Sequence, residues 1–131
     1  MNLNQVTVPS RDLAVAIPFY QRLGLRLIVH APPRYARFEC PDGGSTFSIH
    51  LVEESPIGEG PIVYFECTDL DDRVAQLQAA GVPFIHGPVD QSWRWREARL
   101  HDPDGNVLLL YHAGEDRRYP PWRLPDSMPP A

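Results

Sequence analysis

The sequence predicts an α+β domain built from two βαβββ half-modules. Three observations carry that expectation: two segments that repeat one another, a matched pair of turns, and runs of alternating apolar residues around them. Gln5 to Leu27 and Ile62 to Phe84 each open with a short run rich in Val, Ile, Thr, Tyr and Phe, side chains that fit a pleated surface. A helix start follows in both. Ser10 or Asp12 can cap the first helix, and Thr68 or Asp69 the second, because a short side-chain oxygen can accept from the free N–H groups of a first turn.

Leu13, Ala16, Ile17, Tyr20 and Leu23 recur at helical spacing in the first copy, as do Leu70, Val74, Leu77 and Ala80 in the second, so each helix turns one apolar stripe to a core. Gly24 and Gly81 stand just past the helix ends, where a left-handed residue ends a helix most cheaply without a Cβ. Asp12 and Asp69, Leu13 and Leu70, and Gly24 and Gly81 are each 57 positions apart. Pro18 falls inside the first helix, where it removes a backbone donor and should kink the chain.

Pro41-Asp42-Gly43 and Pro103-Asp104-Gly105 supply turn chemistry between extended segments. The flanking strands are expected at about Ala36 to Glu39 and Thr46 to Val52 in one half, and about Trp95 to Leu100 and Val107 to Tyr111 in the other. Neither half buries its sheet readily alone. Pairing them is expected to give one curved mixed sheet, with helices on the convex side and a concave ligand cup. The half-modules run from about 3 to 54 and 60 to 112 within a single domain, 1–114, followed by a Pro-rich tail, 115–131.

Composition narrows the function. A chain of 131 residues with 43% apolar residues supports one core. No apolar run approaches the ~18 residues of a membrane span, and the N-terminus lacks the pattern of a secretory leader, so the expectation is a soluble cytoplasmic protein with no membrane partner. A net charge of −5 argues against nucleic acid; the local cluster Arg117, Arg118 and Arg123 reads as a solvated tail. Cys40 and Cys67 have no CxxC partner and read as ordinary thiols.

Two runs carry a resemblance. VPSRDLAVAIPFYQRLGL and HDPDGNVLLLY, in register with the repeat, resemble the opening and the last hairpin of glyoxalase/bleomycin-resistance/dioxygenase (vicinal oxygen chelate) proteins, over about residues 3 to 112. The resemblance implies paired βαβββ modules, a cup on the concave face, and a homodimer that can complete each site from both chains. Enzymes of that family hold a divalent metal, such as Fe, Ni, Zn or Mn, through inward residues of the first, fourth, fifth and eighth strands. Those positions fall here on Gln5, His50, Ile62 and Leu109. An isoleucine and a leucine cannot coordinate, and two protein ligands are too few for a catalytic metal of this kind.

Period-2 alternation places the remaining candidates. His50 shares a face with Ser48 and Val52, opposite Phe47, Ile49 and Leu51. Trp93, Trp95, Glu97 and Arg99 share another, Tyr64 lies with Ile62 and Glu66, and Tyr111 lies with Val107 and Leu109. The expected ligand-binding residues are Gln5, Thr7, His50, Tyr64, Trp95, Glu97 and Tyr111, an apolar and aromatic cup with scattered polar groups. His30, His86, His101 and His112 fall at strand ends or turns and read as structural. The leading expectation is a homodimeric, small-molecule-binding protein without a cofactor and without catalytic residues. Its rivals are a metal-dependent lyase or dioxygenase using Gln5 and His50, a metal-free acid/base pair of His50 and Glu97, and a vestigial-site subunit acting in protein association. In the tail, Trp122 within PPWRLP is expected either to pack as an extended strap or to belong to a disordered end.

Overall fold

The computed structural model describes residues 1–126; the part of the tail from 127 to 131 lies outside them. Each half folds as the repeat predicts. The first contains β1 (Gln5–Ser10), α1 (Leu13–Arg22), β2 (Arg26–Ala31), β3 (Tyr35–Glu39) and β4 (Thr46–Leu51). The second contains β5 (Ile62–Glu66), α2 (Leu70–Ala79), β6 (His86–Asp90), β7 (Arg96–His101) and β8 (Val107–His112), and a 3-10 turn, Gly114–Arg117, begins the tail.

The helix boundaries follow the capping chemistry. Asp12 caps α1, its carboxylate accepting from the Ala14 N–H at 3.0 Å, while Ser10 Oγ accepts from the Asp12 N–H. Asp69 holds the equivalent place before α2 without a side-chain bond, and Asp71 and Asp72 supply negative charge to that first turn. Gly24 and Gly81 take φ of 102° and 90°, the left-handed stop expected of them. Helix α1 continues through Pro18. The carbonyl that Pro18 leaves without its helical donor belongs to Ala14, and both residues lie on the exposed side of the helix, where water can take the place of the missing N–H.

The hydrogen-bonded sheet is not continuous. Two four-stranded mixed sheets form, ordered β1-β4-β3-β2 and β5-β8-β7-β6; within each, the first-named pair is parallel and the others antiparallel. The curved single sheet expected from the repeat is thus divided, and β1 and β5 each leave one edge without a ladder partner. Both sheets devote one face to a common core. Val8, Ala36, Phe38, Phe47 and Ile49 from the first and Ala98, Leu100, Leu108 and Leu110 from the second join the apolar stripes of both helices in one buried cluster. The rings of Phe47 and Phe65 meet across the modules at 5.6 Å.

A polar latch crosses the same junction. The Tyr20 hydroxyl, fully buried, donates to Asp102 Oδ2 at 2.5 Å. Asp102 also accepts from the backbone N–H groups of Asp104 and Asn106 and from Asn106 Nδ2, and Asn106 Nδ2 donates in turn to the Pro9 carbonyl at 2.9 Å. A buried carboxylate is tolerable only with its oxygens so occupied. Burial, and then the negative charge of Asp102, push the Tyr20 pKa far above the ordinary tyrosine value. The folded state therefore holds this proton more tightly than the unfolded chain does. The contribution is whole below the unfolded value near pH ~10 and is lost as pH rises past it. Tyr20→Phe should lower stability by about 1–3 kcal/mol at neutral pH, because Asp102 loses one buried donor. Urea unfolding at neutral pH and again above pH ~10 should show the deficit shrinking with alkalinity; a deficit that grows would contradict this account of the latch.

Candidate functional site

Each sheet turns its second face away from the common core, and strand register defines what that face carries. On the first sheet, Gln5, Thr7 and Pro9 pair with Thr46, Ser48 and His50, which pair in turn with Glu39, Arg37 and Tyr35. On the second, Ile62, Tyr64 and Glu66 pair with Val107, Leu109 and Tyr111, and beyond them stand His101, Arg99 and Glu97. The alternation read from sequence is thereby met for His50, Tyr64, Glu97 and Tyr111. Trp95 lies in the turn just before β7 and joins the same face by stacking on Tyr111.

The seven expected ligand-binding residues fall into two groups. Gln5, Thr7 and His50 belong to the first face, and Tyr64, Trp95, Glu97 and Tyr111 to the second. No hydrogen bond or aromatic contact joins the groups among the described residues. The two groups lie on different sheets of the chain. A cavity of about 120 Å³ lies at the module junction, lined by residues that include Ser10, Arg11, Val52, Pro56, Asp104 and Asn106 and by none of the seven. One oxygen of Asp104 is buried at this junction without a partner.

The second face is an aromatic wall. Trp95 and Tyr111 stack with centroids 4.8 Å apart and planes 24° apart, and Tyr64 stands edge-on to both at 5.8 and 5.4 Å. Offset stacking and edge contacts of this kind hold rings rigidly. Tyr64 nevertheless remains 43% exposed. Glu97 is buried beside the wall and accepts from Trp93 Nε1 at 2.9 Å. Burial first, then the Glu97 charge, push the Tyr64 hydroxyl upward; burial first, then Glu66, do the same at Tyr111. Both phenols stay neutral at ordinary pH.

The turn that presents the tryptophans is tied to the tail. Arg94, at φ 70°, donates from Nε to Asp116 at 3.0 Å. Glu66 Oε2 accepts the N–H groups of Ala113 and Gly114. Trp122 itself is 57% exposed; Arg94 ties the start of the tail to the domain, and within the tail Arg123 lies over the Tyr119 ring.

The first face is a polar network. Gln5 Nε2 donates to Ser48 Oγ at 2.8 Å and to Thr7 Oγ1 at 3.1 Å, and Gln5 Oε1 accepts from the Thr46 hydroxyl. Ser48 Oγ and the Tyr35 hydroxyl share a bond of 2.7 Å, and Arg37 Nε donates to that hydroxyl at 2.9 Å. His50 stands exposed beside Tyr35, its cross-strand partner. Ser48, Tyr35, Arg37 and Trp93 are absent from the expected set. Period 2 in Tyr35-Ala36-Arg37-Phe38 was the available signal, since Ala36 and Phe38 are core residues and their neighbours must face outward.

The divalent metal implied by the resemblance does not fit these residues. The Gln5 carbonyl is engaged by Thr46, and the other two positions are Ile62 and Leu109 on the other sheet. Among the described residues no three of His, Cys, Asp and Glu gather closely enough to hold an ion. Cys40 and Cys67 are free thiols, pushed upward in pKa mainly by burial. No helix of the described residues is long and apolar enough to cross a membrane.

Comparison with known proteins agrees with this architecture. The family model described as the glyoxalase/bleomycin resistance protein/dioxygenase superfamily matches residues 2–110. A bleomycin resistance protein of Klebsiella pneumoniae is 31% identical over 115 residues, covering 79% of this chain and 86% of its own. Among solved structures, a bleomycin-binding protein complexed with bleomycin superposes with a TM-score of 0.71 at 22% identity, covering 86% of this chain and 98% of its own. A lactoylglutathione lyase from Agrobacterium tumefaciens superposes at 0.72 with 17% identity, covering 85% and 92%. The last two likenesses concern the fold alone, which hosts a binding protein and an enzyme alike. With the repeat, the two-sheet topology and the family match together, the chain belongs to the glyoxalase/bleomycin resistance protein/dioxygenase superfamily.

Proposed function

We propose that this protein binds and sequesters a planar small molecule without a resident metal, as a homodimer whose cup is completed by two chains. The observation that carries the reading is the wall of Trp95, Tyr111 and Tyr64, flanked by Ile62 and Leu109 where a metal enzyme would need donors. Such a surface offers stacking and dispersion to a ring system, and no electrophile. The bleomycin-binding protein of the same fold supports sequestration as a use of this architecture. The unpaired edges of β1 and β5 and the open faces beside them support the dimer, because exposed edges and apolar faces invite a second copy. The seven residues expected from sequence would then line one cup from two chains.

Three outcomes test this reading. Sedimentation should give twice the 14.8 kDa chain mass; a monomer at micromolar concentration would remove the shared cup. In a thermal-shift screen that includes bleomycin and simple polycyclic aromatics, at least one compound should raise Tm, as mass action requires of anything that binds the native state. Trp95→Ala should weaken the best of these by at least about threefold, the worth of one aromatic pair. Elemental analysis of protein purified without chelators should find no stoichiometric transition metal, and EDTA should leave binding unaltered. One bound metal per chain would overturn the metal-free reading.

A further inference from the structure

On the first sheet's open face certain hydrogen-bond donors have no acceptor among the described residues, and proton counting shows which they are. Ser48 Oγ already accepts from Gln5 Nε2, and the Tyr35 oxygen already accepts from Arg37 Nε. Ser48 and Tyr35 share a single bond, so of their two hydroxyl protons only one is used. Ser48 is fully buried whereas Tyr35 is partly exposed. A buried hydroxyl without an outlet for its proton is costly, so Ser48 donates outward to Tyr35 and the unused O–H belongs to Tyr35, at the surface. Two bonds donated into the phenol oxygen explain why its pKa lies below the usual tyrosine value: the Ser48 hydrogen bond lowers it most, burial opposes that, and the Arg37 hydrogen bond and charge add to the lowering.

Arg37 adds a second source of donors. Its Nε is engaged, its guanidinium carbon lies 5.4 Å from the Tyr35 ring centre, and among the described residues no carboxylate lies within salt-bridge reach of it. The nearby acid Glu39 faces Arg26 instead, at 3.7 Å. Among the described residues the outer nitrogens of Arg37 and the Tyr35 O–H therefore have no acceptor, and they share one face with the exposed ring of His50, steadied from beneath by Ser48 and Gln5. A guanidinium fork beside a positioned hydroxyl matches a carboxylate.

We propose that Tyr35 and Arg37, seated on Ser48 and Gln5, form a carboxylate subsite, so that this protein's ligand is a planar aromatic acid. The inference rests on the reading of the open faces as ligand walls: the acid group is held by one chain's first sheet while its ring stacks on the aromatic wall.

Three probes of one shape and different charge test it: 2-naphthoate, 2-naphthamide and 2-naphthylmethylammonium, titrated calorimetrically into the intact protein at low salt. The naphthoate should bind about tenfold tighter than the amide, as expected when a neutral contact becomes charge-assisted. Arg37→Gln should bring the acid-to-amide ratio close to one, and Tyr35→Phe should lower it in part. Arg37 is exposed and Tyr35 partly so, and a single cooperative thermal transition checks that each variant folds, that of Tyr35→Phe at a lower temperature because the buried Ser48 hydroxyl loses its acceptor. Amide and acid binding equally to the wild type, a ratio that survives Arg37→Gln, or tightest binding of the ammonium would overturn the carboxylate subsite while leaving the ligand-binding reading intact. Failure of all three probes to bind would overturn the aromatic-acid ligand, and failure of the wider thermal-shift screen as well would overturn both.

Discussion

Asp102 gathers four donors at the point where the two modules meet: the Tyr20 hydroxyl from the first helix, two backbone N–H groups of its own turn, and the amide of Asn106, which also reaches the Pro9 carbonyl. The rest of the molecule depends on this arrangement. Tyr20 packs against Phe19, Phe38 and Phe47, so the bond that satisfies a buried acid also places the first helix over its sheet. Each carboxylate oxygen accepts two of these bonds, so removing any one donor would leave a buried charge with one fewer partner, a penalty larger than the gain from a typical hydrogen bond. The latch therefore specifies one docking of the modules among the many that two apolar faces alone would tolerate.

That docking divides the labour of the strands. The common core takes one set of side chains from both sheets. What remains on the open faces lies outside that core, and the two faces have diverged. One is a hydrogen-bonded polar patch around Ser48 and Tyr35; the other is a stacked aromatic wall with Glu97 behind it. A repeat that is symmetrical in its helices, glycine stops and turns is asymmetrical in chemistry where function would lie. The family's metal positions follow the same asymmetry, since Gln5 and His50 stand on the polar face while Ile62 and Leu109 stand on the aromatic one.

Much of the fold was legible because it rests on short-range physics. Asp12, Gly24 and Gly81 act within a turn of where they stand, and the period-2 pattern that puts Phe47 and Ile49 inside puts His50 outside without reference to anything distant. Pro18 looked disruptive only because sequence does not show that Ala14 faces solvent. Tyr35 and Arg37 escaped notice for a different reason: their strand is short, and its outward residues gain meaning only through Ser48 on the neighbouring strand.

By itself the sequence determined the two βαβββ modules and the face on which most strand residues lie, because backbone geometry imposes those periods locally. Tertiary structure alone decided that the sheet divides in two, that Gln5, Thr7 and His50 separate from Tyr64, Trp95, Glu97 and Tyr111, and that Tyr35 and Arg37 form a donor-rich patch. Those outcomes depend on which strand edges pair and which buried protons find acceptors, and both are set by contacts between residues far apart in the chain.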